Sequence, residues 1–240
     1  MDSLGVGLEL RRTLVRCLAV LAVCFALNLI SPVVIAAQRT IAPGETRLTT
    51  FDGPAELSVE TTTSKGAKSG TVEIDANIVL DGAARTDSYT AAAASSMPVP
   101  GRGGVTYYFP YRPERRTYPY SDPFAPQTLT APAALDYVGP GSVGGLDTYK
   151  YRARIATPDY AAERIIDLQT STGVVLDETW SVERGPATGL FRMSEASRAE
   201  ARAHAAGQVR VLHVLQVLAW VTRFIAVVAL AWAAVAVARR

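Results

Sequence analysis

The sequence predicts a mainly β protein. An antiparallel β-rich domain, a sandwich or an open barrel, lies between an N-terminal and a C-terminal transmembrane helix, the second reached through a helical stalk. Three observations predict this. Apolar runs occupy both ends of the 240-residue chain, the residues between them alternate apolar and polar with a period of two, and an alanine-rich, proline-free stretch precedes the second run. The expected boundaries are 1–37 for the first helix or signal anchor, 38–193 for the β domain, 194–210 for the stalk and 211–240 for the second helix.

Residues 17–37, CLAVLAVCFALNLISPVVIAA, carry no formal charge and follow Arg11, Arg12 and Arg16. About 20 apolar residues suffice to cross a bilayer as a helix. A cleaved signal ending at Val34-Ile35-Ala36 is the competing reading, and the run is longer than a usual signal core. Residues 218–238 form the second span, followed by Arg239 and Arg240. Arginines outside both runs place both termini in the cytoplasm and residues 38–210 outside it. Arg223 then lies near the outer end of its helix, either snorkelling to the surface or serving a function within the membrane.

Both cysteines, Cys17 and Cys24, fall in the first run, so the middle region has no disulfide and no thiolate metal site. Residues 38–209 hold 17 Lys plus Arg against 20 Asp plus Glu, a balance that speaks against a nucleic-acid partner.

Within that region, 46–51 and 55–62 read as strands around Asp52-Gly53-Pro54, and 64–70 as a polar loop. Val72, Ile74, Ala76, Ile78 and Leu80 alternate with polar residues, and Asp81-Gly82 turns the chain into 84–90. Residues 91–104 read as a long loop between two halves of one sheet system. Val105, Tyr107 and Phe109 alternate with Thr106 and Tyr108 as a further strand. The run GPGSVG (139–144) reads as a glycine-rich turn, because a strand rather than a helix follows it.

In 146–156, Tyr149, Tyr151, Ala153 and Ile155 share one face, and Lys150, Arg152 and Arg154 the other. That basic ladder either faces acids on neighbouring strands, with Asp177 and Glu183 as candidates, or serves binding. Residues 164–170 and 173–183 form a hairpin around Ser171-Thr172-Gly173. Ser194 is an N-cap ahead of a helix that continues into the second span, with Gly207 its weak point. Ala22/Ala26 and Ala229/Ala233 are small-residue pairs that suit helix–helix packing.

No catalytic signature is present. Ser142 lacks the glycine of a nucleophile elbow, and His204 and His213 stand apart from any ligand cluster. No catalytic residue, metal or cofactor is expected.

One stretch stands out: YYFPYRPERRTYPYSDPF, residues 107–124. Either its aromatics fill the core and its arginines tip a solvated loop, or exposed tyrosines and arginines form a shallow surface for sugar rings or anionic headgroups. The candidate binding residues are Tyr108, Tyr111, Arg112, Arg115, Arg116 and Tyr120.

This stretch resembles the FPF…TYPYWD signature of the PorA family, an actinobacterial, porin-labelled family of unknown function. VGGLDTYKYRARI (143–155) and TSTGVVLDETW (171–181) resemble its GL-tYrf strand and its TG hairpin, although Ser171 stands where many members have proline. The resemblance implies two membrane helices around an extracytoplasmic β domain. It also implies that Phe109, Pro110, Thr117, Tyr118, Pro119, Asp122, Gly145, Leu146, Tyr149 and Gly173 are structural signature positions.

The expected function is that of a non-enzymatic cell-envelope membrane protein binding an envelope lipid, a glycan or a partner membrane protein. The alternatives are a subunit of an oligomeric pore or transporter and an extracytoplasmic hydrolase.

Overall fold

The computed structural model describes residues 3–99, 101–125 and 131–238. The basic pair Arg239 and Arg240 lies outside the described residues. Two helices, α1 (Ser3–Gln38) and α2 (Glu195–Ala238), bracket ten strands: β1 (Thr46–Asp52), β2 (Leu57–Lys65), β3 (Thr71–Leu80), β4 (Ala83–Ala92), β5 (Tyr118–Tyr120), β6 (Ala133–Val143), β7 (Leu146–Ala156), β8 (Ala161–Gln169), β9 (Val175–Arg184) and β10 (Gly189–Met193). The chain divides into two compact units, residues 1–38 with 210–240, and residues 39–209.

In the second unit all ten strands form one antiparallel sheet, ordered β4-β3-β2-β1-β10-β9-β8-β7-β6-β5. It is two meanders joined at the middle, where Phe51 of β1 pairs with Met193 of β10. A long loop carries the chain from one edge of the sheet to the other and ties both. On the β4 side, the Val99 amide donates to the Thr90 carbonyl (3.0 Å) and the Ala92 amide to Met97 (2.9 Å). On the β5 side, the Val105 amide donates to Pro119 (2.9 Å) and the Ser121 amide to Val105 (3.0 Å).

The period-two pattern becomes a buried face. Val72, Ile74, Ala76 and Ile78 of β3 are all buried, whereas Glu73, Asp75 and Asn77 are exposed. The core side chains of largest volume are Trp180, Phe191, Tyr118, Tyr120, Tyr151 and Tyr160, each at most 2% exposed. Phe124 stacks on Trp180 at 4.0 Å between centroids, and Trp180 lies 5.2 Å from Phe191. Most of the domain's buried side chains form one cluster, several of them from the long loop.

Three expectations are corrected. Residues 105–109 are not a strand. They form only an isolated bridge, Val105 to Tyr120, because Pro110 and Pro113 lack ladder donors and Arg112 has φ 52°. The GPGSVG run is not a turn throughout. β6 runs through Gly139, Pro140 and Gly141, and the reversal is made by Gly144 and Gly145 at φ 57° and 80°. Pro140 is tolerated because β5 covers only 133–135 of β6 and leaves the rest an edge. The basic ladder faces β8 and not Asp177 and Glu183: Lys150 Nζ lies 3.6 Å from Asp167, and Arg154 pairs with Glu163. Asp177 is taken by Arg198 at 3.7 Å.

α2 starts as its sequence dictates. The Ser197 amide donates to Ser194 Oγ (3.2 Å), and Glu195 accepts from Arg202 (2.5 Å). The helix is unbroken through Gly207. The stalk expected at 194–210 is helical, and its early turns are docked on the sheet, with Ala201 and Ala205 buried in the domain core and the Thr50 amide donating to Ser197 Oγ (2.9 Å).

In the first unit both helices are long and apolar enough to cross a membrane. Cys24, Ser31, Leu215, Thr222 and Ala229 form the buried seam. The Asn28 amide donates to Thr222 Oγ1 at 2.7 Å and to the Cys24 carbonyl at 2.8 Å. Ala22 and Ala26 lie on the exposed face instead, because Cys24, Asn28 and Ser31 set the seam of α1 between them. Phe25, Phe224 and Trp232 point outward, each about two-thirds exposed, as suits contact with lipid. Arg223 is also on the exposed side.

Candidate functional site

Residues 105–125 form the long loop's second half, and they split into a buried side and an exposed tip. On the buried side, backbone groups that a strand would pair in a ladder are paired by side chains. The Phe109 carbonyl accepts from Ser96 Oγ (3.0 Å), the Glu114 carbonyl from Tyr151 Oη (2.5 Å), and the Glu114 amide donates to Tyr118 Oη (2.7 Å).

Two charged networks anchor this side. In the first, Arg102 is bidentate on Asp87 of β4, at 2.8 and 2.9 Å, and also donates to Thr106 Oγ1 (2.8 Å). Tyr107 Oη donates to Asp87 (2.9 Å), and the Arg102 guanidinium lies 4.3 Å from the Tyr89 ring centre. Burial and then the Asp87 charge push the Tyr107 hydroxyl pKa far above its usual value.

The second network is deeper. Arg164 of β8, 5% exposed, lies with Nη1 2.7 Å from Glu178 Oε1 and Nε 3.9 Å from Asp122 Oδ2. Neither nitrogen directs an N–H at an acceptor among the described residues, so the attraction is of charges and not of aligned hydrogen bonds. The guanidinium also lies over Trp180 (5.2 Å) and Phe124 (5.8 Å). Asp122 accepts from Tyr160 Oη (3.0 Å) and from the Phe124 amide (2.8 Å), and Trp180 Nε1 donates to Tyr160 Oη (3.2 Å). Burial opposes the Arg164 charge, and the anions of Glu178 and Asp122 overcome that, so its pKa is raised. Glu178 is raised by burial, with Arg164 pulling the other way.

The exposed tip is basic and aromatic. Tyr111, half-buried, has Arg39 at 5.3 Å and Arg112 at 5.7 Å from its ring centre. Arg47 lies 5.3 Å from the ring centre of half-buried Tyr108, Arg115 lies 5.1 Å from that of Tyr149, and Arg116 5.1 Å from that of Tyr118. Arg112, Arg115 and Arg116 are exposed, and of the three only Arg116 has a carboxylate partner among the described residues, Glu114 at 3.1 Å. Tyr108, Tyr111, Arg112, Arg115 and Arg116 are thus each part of a separate arginine–tyrosine contact along this loop, Tyr108 packing beside Tyr89 of β4 and Arg115 lying over Tyr149 of β7. Tyr120 is not among them: it is 1% exposed and fills the core.

The sequence model of one family, Porin PorA, matches residues 62–185, just over half of the chain. The chain belongs to the PorA family. No curated protein matches it. The matched region of this PorA protein runs from the end of β2 to the end of β9 and includes both charged networks and tip residues 108–116, but not Arg39 and Arg47.

Several of the positions that the resemblance implies are structural lie in this loop or against it. Phe109, Tyr118 and Asp122 are buried, Pro119 sits in β5, and Thr117 Oγ1 donates to Asp136 (2.7 Å). Gly173 is pressed against Pro110, whose carbonyl oxygen would lie 2.3 Å from any Cβ there. Gly145 turns the chain into β7, Leu146 opens that strand, and Tyr149 packs edge-on against Tyr137 at 5.5 Å. Sequence reasoning missed Arg164 and Glu178. Their signal was available, since each is a charge at an apolar parity position, between Ala162 and Ile166 on β8 and between Leu176 and Trp180 on β9.

Proposed function

We propose that the chain is a non-enzymatic cell-envelope protein, held in the cytoplasmic membrane by α1 and α2, whose outward-facing β domain binds an anionic envelope component, a lipid or glycan bearing phosphate or carboxylate. The observation that carries this reading is the tip, where three exposed arginines within five residues each lie over a tyrosine ring and only Arg116 has a carboxylate partner among the described residues, Glu114. Planar guanidinium groups match such anions with two donors each, and tyrosine faces suit sugar rings. Asp122 and Glu178, the carboxylates nearest the core, are paired with Arg164, which also favours binding over chemistry.

Native mass spectrometry of the full chain in mild detergent tests this. The wild type is expected to retain an anionic envelope molecule, and Arg112→Gln/Arg115→Gln/Arg116→Gln to retain at least ten-fold less with the same melting temperature. Equal retention overturns the assignment of the tip, and retention of a partner protein alone replaces the ligand class.

The family's porin label favours a second reading, a subunit of an oligomeric pore. Two helices and one open sheet per copy form neither a closed barrel nor a helix ring, so a path in this reading runs between copies. Discrete conductance steps from the purified chain in planar bilayers would favour this reading over the first.

A further inference from the structure

The apolar run of α2, residues 211–238, holds four polar side chains, His213, Gln216, Thr222 and Arg223. Thr222 faces α1, where its hydroxyl oxygen accepts from Asn28 (2.7 Å). The other three are exposed, as is Trp220 at 66%. His213, Gln216, Trp220 and Arg223 follow one another at spacings of three, four and three. At about 100° per residue, that keeps them within roughly 80° of arc. The stripe lies about 140° round the helix from the seam of Leu215, Thr222 and Ala229. α2 therefore has two specialised faces, one against α1 and a polar one left uncovered.

Arg223 sits at the depth where a charge is hardest to hold. The nearest charges along the helix, Arg210 and Arg239, are 13 and 16 residues away, roughly 20 and 24 Å. Asn28, bonded to the adjacent Thr222, is likewise at the middle of the charge-free run between Arg16 and Arg39. Both helices thus set Arg223 near the midplane, not near the outer end of its span as the sequence suggests. From there each surface of a ~30 Å hydrocarbon core is about 15 Å away. Snorkelling serves arginines near helix ends, and from the midplane a guanidinium does not reach the headgroups. A counter-charge at the same depth offsets the cost.

This chain does not supply one. Residues 10–38 and 211–240 contain no Asp or Glu, so neither α1 nor the spans of a second copy bring a carboxylate to this depth. Packing the stripe on its own counterpart in parallel would set Arg223 against Arg223. We propose that the stripe is the docking face for a transmembrane helix of a different membrane protein, one carrying an Asp or Glu near its centre. That carboxylate accepts two N–H groups of the Arg223 guanidinium. Trp220 supplies the packing surface beside the pair, and Gln216 and His213 hydrogen-bond nearer the end of the span. The inference rests on α2 crossing the bilayer, as in the reading above, and is independent of the tip and its ligand.

The test places the full chain, labelled at its N-terminus, in phosphatidylcholine vesicles with labelled polyleucine peptides whose central residue is Glu or Leu. A central residue reaches the depth of Arg223 whichever way the peptide inserts. Energy transfer at neutral pH is expected to show the Glu peptide associating at least ten-fold more tightly than the Leu peptide. Arg223→Leu should lose that preference, and Arg210→Gln, at the end of the run, should keep it. Equal association of the two peptides, or a preference that survives Arg223→Leu, overturns the proposal. So does energy transfer between copies that Arg223→Leu abolishes, which would make the occupant a second copy. Quenching of Trp220 and Trp232 by brominated lipid separates the two readings. An unquenched chain overturns the membrane placement as well, whereas a quenched chain without the Glu preference overturns this inference alone.

Discussion

Gly173, in the turn between β8 and β9, lies directly beneath the carbonyl oxygen of Pro110 in the long loop, so close that a Cβ there would sit 2.3 Å from it. Gly173 also holds φ 74°. Two motifs far apart in the chain therefore meet at one backbone-to-backbone contact, and neither side has a flexible group to move aside. Gly173→Ala combines left-handed strain with a clash, and should destabilise the domain by roughly 2–4 kcal/mol. Chemical denaturation monitored by tryptophan fluorescence checks this.

Arg164 sits between Asp122 and Glu178, with two negative charges for one positive. Arg164→Leu removes the cation nearest buried Asp122 and half-buried Glu178 and should cost about 3–5 kcal/mol at neutral pH. The loss should shrink in acid as Glu178, whose pKa burial already raises, takes up a proton.

Glu178 gives the sign of a pH effect. Its folded pKa is raised above the ordinary 4.5, burial being the main cause. The fold therefore binds this proton more tightly than the unfolded chain does. The associated stability is full below about pH 4.5 and is lost as pH rises through the folded value. Glu178→Gln removes this titration. The melting temperature of the wild type minus that of the variant should fall from pH 4.5 towards neutrality, and a flat difference contradicts the assignment.

Asn28 and Thr222 join the two membrane helices at 2.7 Å. Side-chain hydrogen bonds between membrane helices contribute about 0.6 kcal/mol on average, with a maximum near 1.7. Asn28→Leu and Thr222→Val should each weaken helix association by an amount in that range, and the double variant by little more than either. A double-mutant cycle read by steric trapping or detergent unfolding measures the coupling, and strict additivity would show that the contact contributes nothing.

Arg112 holds φ 52° without being glycine. Arg112→Gly should raise stability by up to about 1 kcal/mol while weakening anion retention at the tip. Thermal denaturation and the native mass spectrum of the same sample report the two effects together.

Much of this architecture was legible in the sequence because it rests on periodicity. The alternation of Val72 to Leu80, the Asp81-Gly82 reversal and the apolar ends of the chain each follow from local pattern alone. What was not legible depends on contacts distant in sequence. The alternation of Val105, Tyr107 and Phe109 imitates a strand, but the prolines that follow and side-chain partners such as Ser96 and Tyr151 make the segment a packed loop. Tyr120 reads as surface among arginines, and is core only because Trp180 and Phe191, contributed by β9 and β10, belong to the same interior. Arg164 and Glu178 carry charge at apolar parity positions, but that each faces the other could be seen only once β8 and β9 paired.

The seam between β1 and β10 has a consequence for how the protein is made. Phe51 finds Met193 only after most of the chain has been synthesised, and contacts of such long sequence separation form slowly. As the polypeptide emerges, the β1–β4 meander is left with a raw, unpaired border at β1. The last short strand seals it just before α2 enters the bilayer. A ribosome stalled between those two events would leave a half-sheet tethered at one end, an aggregation-prone species that chaperones or proteases would have to shield or remove.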